Sequence, residues 1–172
     1  LREHSEGVIA ASACLGGGYA GNYWENREEG SEVVLEAMRE TTREMVSIFG
    51  DRWYAELQWN NIPEQHELNK YIIQIAKEFN LKMISTADSH YPDPDAWKDR
   101  EMYKRLGWLG RGTPSWGEGS ELPSGVEEIG YELYPKNGDQ MWESYKNYCK
   151  SAGFEYDDDL VMDSITETYH IA

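Results

Sequence analysis

The sequence predicts an α/β fold with a parallel sheet. Three short apolar runs are typical of strands, and amphipathic runs with helical spacing separate them. A chain that alternates strands with helices joins neighbouring strands through crossover connections, which leaves those strands parallel. The three predicted strands are residues 7–13, 53–58 and 81–86.

Two helices between these strands carry the clearest signals. In residues 31–49 the apolar side chains recur with helical spacing, Ser31 is the predicted N-cap, and Gly50 stands where a helix ends. In residues 63–79 Pro63 occupies a favoured first position, and a stripe of Leu, Ile, Ala and Phe follows it. Both patterns predict helices that pack one face against a sheet.

Two other segments complete this part of the chain. The glycines at 16–18 predict a loop in which the backbone must come close to another group, because only glycine leaves room for such an approach. Residues 95–106 predict a further helix after the third strand. Strand and helix therefore alternate as far as residue 108.

The chain changes character after this point. Residues 109–130 are rich in Gly, Ser and Pro, which predicts a surface loop. Residues 131–134 are strand-like, and helices are predicted over 139–152 and 157–171. A mainly helical segment therefore follows the α/β part.

Composition and charge limit the classes of function that this chain could have. Hydrophobic residues make up 40% of the 172 positions and charged residues 28%, which is typical of a globular chain. The net charge of −16 repels phosphate backbones, so this chain is a poor candidate for gripping nucleic acid by itself. No apolar run is long enough to span a membrane. Two cysteines are too few for a disulfide framework, which favours a cytoplasmic location.

Asp88 and His90 are the sharpest local signal for chemistry. They follow the third predicted strand two residues apart, so in extended backbone they face the same side at the end of the sheet where α/β proteins place their ligands. An oxygen and a nitrogen donor together suit Zn, Mn or Fe. The alternative is an Asp that caps the next helix beside a hydrogen-bonded His. Cys14 follows the first strand and is either a third ligand or a small buried residue.

Glu56 and Gln58 alternate on the second strand and point to the same end of the sheet, where they would support the ligands. The alternative is that Glu56 pairs with a cation and Gln58 forms a hydrogen bond with the backbone.

The remaining histidines have no second candidate ligand at a spacing that would indicate a shared site. Cys149 is expected to be a packing residue. No Walker loop, nucleophile elbow, Cys-x-x-Cys or dinucleotide fingerprint is present, and no residue is assigned a catalytic role. The unassigned histidines are His4, His66 and His170.

Five segments, in order and with matching spacing, resemble the PHP metal-hydrolase domain of bacterial DNA polymerase III alpha subunits and the stretch that follows it. The first holds Ser12-Ala13-Cys14, where the family has Ser-Gly-Cys, and the third holds the Asp88-x-His90 pair. The segments are HSEGVIAASACLGG (4–17), FGDRWYAELQWNNIPEQHELN (49–69), ISTADSHYPDPDAWKDREM (84–102), YELYPKNGDQMWESY (131–145) and DDDLVMDSITETYHIA (157–172).

The resemblance implies part of a distorted (β/α)7 barrel. Residues 1–108 would be the C-terminal half of the PHP domain, 109–130 a loop, and 131–172 the segment that leads out towards the polymerase core. Cys14, Asp88 and His90 fall on metal-ligand positions of that family, and Zn or Mn is the expected ion. The chain begins with Leu1 and lacks the opening ligand motif of the family, so we expect a truncated piece that lacks the N-terminal half of its domain.

The implied function is that of a fragment of a replicative DNA-directed DNA polymerase. The parent would use Mg for polymerisation, act on DNA and bind other replisome subunits, and its PHP site would support metal-dependent phosphoester hydrolysis such as 3′–5′ exonuclease activity. We expect the fragment alone to be inactive. Two alternatives stay open, namely a stand-alone PHP phosphoesterase and a non-catalytic structural PHP domain.

Overall fold

The computed structural model describes residues 2–109, 131–150 and 152–171. Its contacts divide the chain into two units. Unit 1 comprises Leu1–Thr86 with Lys136–Ala172, and unit 2 comprises Ala87–Pro135. Within the described part of the chain, no helix is both long and apolar enough to cross a membrane.

The elements alternate as the sequence predicts. In chain order they are β1 (Ala10–Ala11), α1 (Gly18–Asn26), α2 (Ser31–Phe49), β2 (Trp53–Gln58), α3 (Pro63–Phe79), β3 (Met83–Thr86), α4 (Trp97–Leu109), α5 (Gly138–Ser144), a π-helical segment (Tyr145–Lys150) and α6 (Asp158–Ile171). Short 3-10 turns stand at Arg2–His4 and Gly50–Arg52.

The sheet is parallel and open. Its order is β1-β2-β3, with Ala10 opposite Trp53 in the first pair and Ala55 opposite Met83 in the second. Every β2 residue except Glu56 is buried, as expected of a central parallel strand that is covered on both faces. The parallel α/β prediction is therefore confirmed. The described residues contain three strands with two outer edges, so the distorted barrel remains a prediction.

The helices that pack against this sheet keep their predicted bounds. The buried positions of α2 include Val34, Leu35 and Met38, which repeat at helical spacing on one face. Pro63 begins α3, and Asn80 ends it in the left-handed conformation that asparagine tolerates. The predicted N-cap of α2 is wrong by one residue, because Gly30 holds that position and Ser31 is the first helical residue.

The first predicted strand is much shorter than residues 7–13. Pairing with β2 is limited to Ala10–Ala11, and the side chains of Val8 and Ile9 are 44% and 49% exposed. The guanidinium of Arg52 binds the carbonyl oxygens of Ser5 and Val8, so the preceding backbone is held by a side chain instead of a neighbouring strand.

The glycine cluster combines a close approach with a helix start that the sequence did not indicate. A Cβ atom on Gly17 would lie 2.4 Å from the carbonyl oxygen of Ser12, so the predicted backbone approach is confirmed there. The predicted loop nevertheless stops at Gly17, because α1 begins at Gly18. Tyr19 and Tyr23 of α1 are buried and supply the apolar face that stabilises this helix.

The later part of the chain differs from the prediction in three places. Residues 131–134 form no strand. The helix expected over 139–152 is divided into α5 and the π-helical segment. α4 starts at Trp97 instead of residue 95, and in the turn before it the carboxylate of Asp93 accepts the N–H groups of Asp95 and Ala96. The loop predicted over 109–130 lies, from residue 110 onwards, outside the described residues.

Helix α6 covers the outer edge of β3. The Thr168 hydroxyl oxygen lies 2.9 Å from Ser85 N and 2.8 Å from Ser85 O, so it contacts the donor and the acceptor that β3 turns away from β2. The Ser85 and Ser164 hydroxyls lie 2.7 Å apart beside this contact. Side chains of α6 therefore satisfy an edge that would otherwise present unpaired backbone groups.

Thr168→Val tests this edge contact. The substitution keeps the side-chain shape and removes the hydroxyl, so we expect the free energy of unfolding to fall by about 1–2 kcal/mol in a urea titration of the chain. Thr166→Val is the matched control, because the Thr166 hydroxyl lies on an exposed face and donates to the Met162 carbonyl within α6, and it should change stability by less than about 0.5 kcal/mol. Equal effects of the two substitutions would contradict the proposed role of Thr168.

Candidate functional site

The carboxylate of Glu56 joins the ends of all three strands. Its Oε2 accepts the backbone N–H of Ala13 at 3.2 Å. Its Oε1 accepts the Thr86 hydroxyl at 2.5 Å and the Gln58 side-chain amide at 3.0 Å. The Glu56 backbone N–H in turn donates to the Ser12 hydroxyl at 2.9 Å. One side chain on β2 therefore holds the residues that follow β1 and the last residue of β3.

These contacts replace the alternative interpretation of Glu56 and Gln58. The donors that the structure gives to Glu56 are neutral groups, so the expected pairing with a cation does not describe it. The Gln58 amide bonds the side chains of Glu56 and Thr86 instead of backbone. Gln58 is almost fully buried, and its Oε1 has no hydrogen-bond partner among the described residues. Both side chains thus lie at the predicted end of the sheet.

Cys14 lies just beyond β1 in a strained turn. Ala13 adopts φ +64°, a left-handed conformation that favours glycine. The Cys14 sulfur accepts the N–H of Gly16 at 3.5 Å and is partly exposed, so the alternative of a fully buried cysteine is wrong. Ala13 stands where the Ser-Gly-Cys pattern has glycine. The backbone conformation at this position is strained for alanine and would be relaxed for glycine.

Asp88 and His90 face one another within unit 2. Asp88 Oδ1 lies 3.4 Å from His90 Nε2, and the two side chains are 23% and 42% exposed. Ligand bonds of about 2.0–2.1 Å at a tetrahedral angle place two donors roughly 3.3 Å apart, so this oxygen and nitrogen fit a shared Zn-type ion. Asp88 does not cap α4, since that helix begins nine residues later and Asp93 forms the turn before it.

The structure leaves the three-residue metal site as a prediction. Among the residues that it describes, no group of three or more His, Cys, Asp or Glu side chains is placed to hold a metal ion. Cys14 belongs to unit 1, whereas Asp88 and His90 belong to unit 2. The pair within unit 2 is therefore observed, and the third ligand is a hypothesis.

His66 and Cys149 form a buried pair that sequence reasoning missed. The Cys149 sulfur lies 2.8 Å from His66 Nδ1. Burial lowers the pKa of His66 to about 4 and raises the pKa of the Cys149 thiol, so both groups are neutral at pH 7 and share a hydrogen bond. The Tyr156 hydroxyl donates to the His66 backbone carbonyl at 2.5 Å. These contacts fasten the π-helical segment and the chain after it to the start of α3.

Separation in sequence explains why this pair was missed. His66 and Cys149 are 83 residues apart, so no local spacing connects them. A buried histidine at the N-terminal end of a helix and a cysteine among aromatics are the only signals in the sequence, and each is typical of ordinary packing. The prediction that Cys149 is a packing residue agrees with its burial, whereas His66 was left unassigned.

The fold and the polar strand ends define an α/β protein with candidate metal-binding residues, and comparison of its sequence narrows that class. No family model matches the chain. It is 40% identical over 95 residues to the DNA polymerase III subunit alpha of Aquifex aeolicus (strain VF5), which is 55% of this chain and 8% of that relative. It is 37% identical over 91 residues to the subunit of the same name from Thermus aquaticus, which is 53% of this chain and 7% of that relative.

A longer and weaker similarity covers most of the chain. The DNA polymerase III subunit alpha of Campylobacter jejuni subsp. jejuni serotype O:2 is 28% identical over 148 residues, which is 84% of this chain and 12% of that relative. Relatives that carry the name DNA polymerase III subunit alpha therefore match from half to most of the chain, and the chain spans about a tenth of the length of each.

Ala13→Gly tests the strain beside Cys14. Glycine adopts φ +64° without the Cβ penalty, so we expect the free energy of unfolding to rise by about 0.5–1 kcal/mol after the entropic cost of glycine is subtracted. Ala11→Gly is the control, because Ala11 is paired in β1 and glycine should destabilise it by a similar amount. Urea unfolding of both variants gives the comparison, and destabilisation by Ala13→Gly would show that the turn is unstrained.

His66 makes stability depend on pH. The pKa of His66 is about 6.5 in the unfolded chain and about 4 in the folded chain. Stability therefore declines as the pH falls from 6.5 to 4, by an amount on the order of 3 kcal/mol. His66→Asn retains an acceptor near the Nδ1 position and does not titrate, so the difference in stability between wild type and variant should shrink or reverse over that range.

The control for this measurement is Thr166→Val, because Thr166 is exposed and has no titrating group. Its difference from wild type should stay nearly constant between pH 6.5 and 4. Carboxylates that titrate in the same range are common to all three proteins, so they cancel in the differences. A parallel pH profile for wild type and His66→Asn would contradict the assignment.

Proposed function

We propose that this chain is part of a DNA polymerase III alpha subunit and contributes part of the metal site of its PHP domain. The observation that carries the proposal is the similarity to relatives of that name over as much as 84% of the chain. The ordered resemblance of five segments supports the PHP assignment, and the facing Asp88 and His90 side chains support a metal site.

Cys14, Asp88 and His90 would hold the divalent ion, with Zn or Mn as the expected metal. A bound ion of this kind supplies a Lewis acid and lowers the pKa of a coordinated water, which suits phosphoester hydrolysis such as 3′–5′ exonuclease activity. In this chain Asp88 offers an oxygen donor and His90 a nitrogen donor. Glu56 and Gln58 hold the strand ends, since Glu56 binds the backbone next to Cys14 and both residues bind Thr86.

The other functions belong to the parent protein. DNA-directed DNA polymerisation would use Mg and take place in regions outside this chain, within a cytoplasmic replisome that includes the N-terminal half of the PHP domain and further subunits. The charge of −16 supports this division, because an acidic surface repels the phosphates of DNA. The chain by itself would neither polymerise nor proofread.

Metal analysis of the full-length protein that contains this chain tests the PHP site. We expect the purified protein to carry Zn or Mn, and Asp88→Asn and His90→Asn each to weaken metal binding by at least tenfold, because each removes one ligand. His170→Asn is the control and should retain the metal. A full-length protein that binds metal equally well in all forms would exclude Asp88 and His90 as ligands.

The polymerase assignment has a separate test. The full-length protein should extend a primed DNA template with Mg²⁺ and deoxynucleotides. Absence of extension would overturn the assignment whatever the metal content. A protein that extends the primer and binds no metal at the Asp88–His90 pair would instead carry a structural PHP domain, and the metal-site half of the proposal would be wrong.

A further inference from the structure

We propose that Tyr91 is a positioning residue for the Asp88–His90 pair and that it acts through the backbone of Leu133. This inference rests on the proposed function, because the pair has a role to be positioned for only if it binds metal. The contact itself is observed independently of that role, and all of its residues lie within unit 2.

Leu133 is bonded on both of its backbone polar groups by two successive residues of the Asp88–His90 loop. The Leu133 carbonyl accepts the N–H of His90 at 2.8 Å and the N–H of Tyr91 at 3.2 Å. The Leu133 N–H donates to the Tyr91 hydroxyl oxygen at 2.8 Å. The side chains of Tyr91 and Leu133 are buried, so these hydrogen bonds are shielded from water. We refer to the three hydrogen bonds as the Leu133 clamp.

A strained residue precedes each of the two segments that the clamp joins. Asp88 has φ +46° and Glu132 has φ +57°, and both are residues other than glycine. Such conformations persist only where the surrounding structure holds them, and they concentrate at functional sites. The Leu133 clamp contributes to holding both segments, since it bonds the two residues that follow Ser89 to the residue that follows Glu132.

The clamp is therefore expected to strengthen metal binding by the Asp88–His90 pair. The spacing of Asp88 Oδ1 and His90 Nε2 suits a shared ion only while the loop keeps this conformation. A loop that spends part of its time in other conformations binds a metal more weakly in proportion to the competent fraction. Tyr91 contributes by fixing Leu133 and touches neither the ion nor a substrate, which is why it is a positioning residue.

Tyr91→Phe in the full-length protein that contains this chain tests this role, because it keeps the ring and removes the acceptor for the Leu133 N–H. Amide hydrogen exchange by mass spectrometry should be about five- to tenfold faster in peptides that contain His90 or Leu133. Titration of the metal-free protein with Zn²⁺ should show affinity reduced by a similar factor. Tyr103→Phe is the control in the same unit, where Tyr103 is 78% exposed, and it should change neither value.

The outcomes separate the inference from the proposed function. Faster exchange with unchanged Zn²⁺ affinity would show that Tyr91 is merely structural, and unchanged exchange would show that the hydroxyl does not hold Leu133. Either result overturns the inference and leaves the metal site standing. A wild-type full-length protein that binds no Zn²⁺ would instead count against the metal site. Unaltered exchange in β2 confirms that the variant remains folded.

Discussion

The hydrogen bonds of one carboxylate, that of Glu56, hold the functional end of this sheet together. Glu56 is the single half-buried residue in an otherwise buried strand, and a charged group there is stable only if donors replace the water it loses. Those donors come from the loop after β1, from β2 itself and from the end of β3. The requirement to solvate one charge therefore draws three strand ends together, and the segments that carry Cys14 and Asp88 begin from those ends.

The two outer edges of the sheet differ in whether side chains cover their backbone groups. This difference affects where a further strand of the barrel that the resemblance implies could pair. Thr168 contacts both backbone groups that Ser85 turns outwards, so a further strand could pair with β3 at Ser85 only if α6 moved. No side chain among the described residues covers β1 in the same way, although Arg52 holds the backbone just before it. Among the described residues, the edge of β1 is therefore the one that lacks such a side-chain cover.

Local patterns predicted α2, β2 and α3 with correct bounds because burial, periodicity and end signals agree in those segments. They failed where the decisive contact is distant. Pairing with β2 sets the length of β1, and the burial of Tyr19 and Tyr23 stabilises a helix that begins in a glycine cluster. Similarly, the prediction that Asp88 and His90 face the same side assumed extended backbone, which is wrong because Asp88 has φ +46°. The backbone that supports the pair comes from Leu133, more than forty residues later.

Charge places a final constraint on the candidate site. A chain with a net charge of −16 disfavours the approach of any phosphate. The Asp88–His90 pair is partly exposed, and the carboxylate of Asp88 offers no attraction to a phosphate. A divalent cation between them would reverse the local sign and make the same surface attractive to a phosphoester. If the proposed phosphoester chemistry takes place at this position, the ion would therefore supply the positive charge that attracts the substrate.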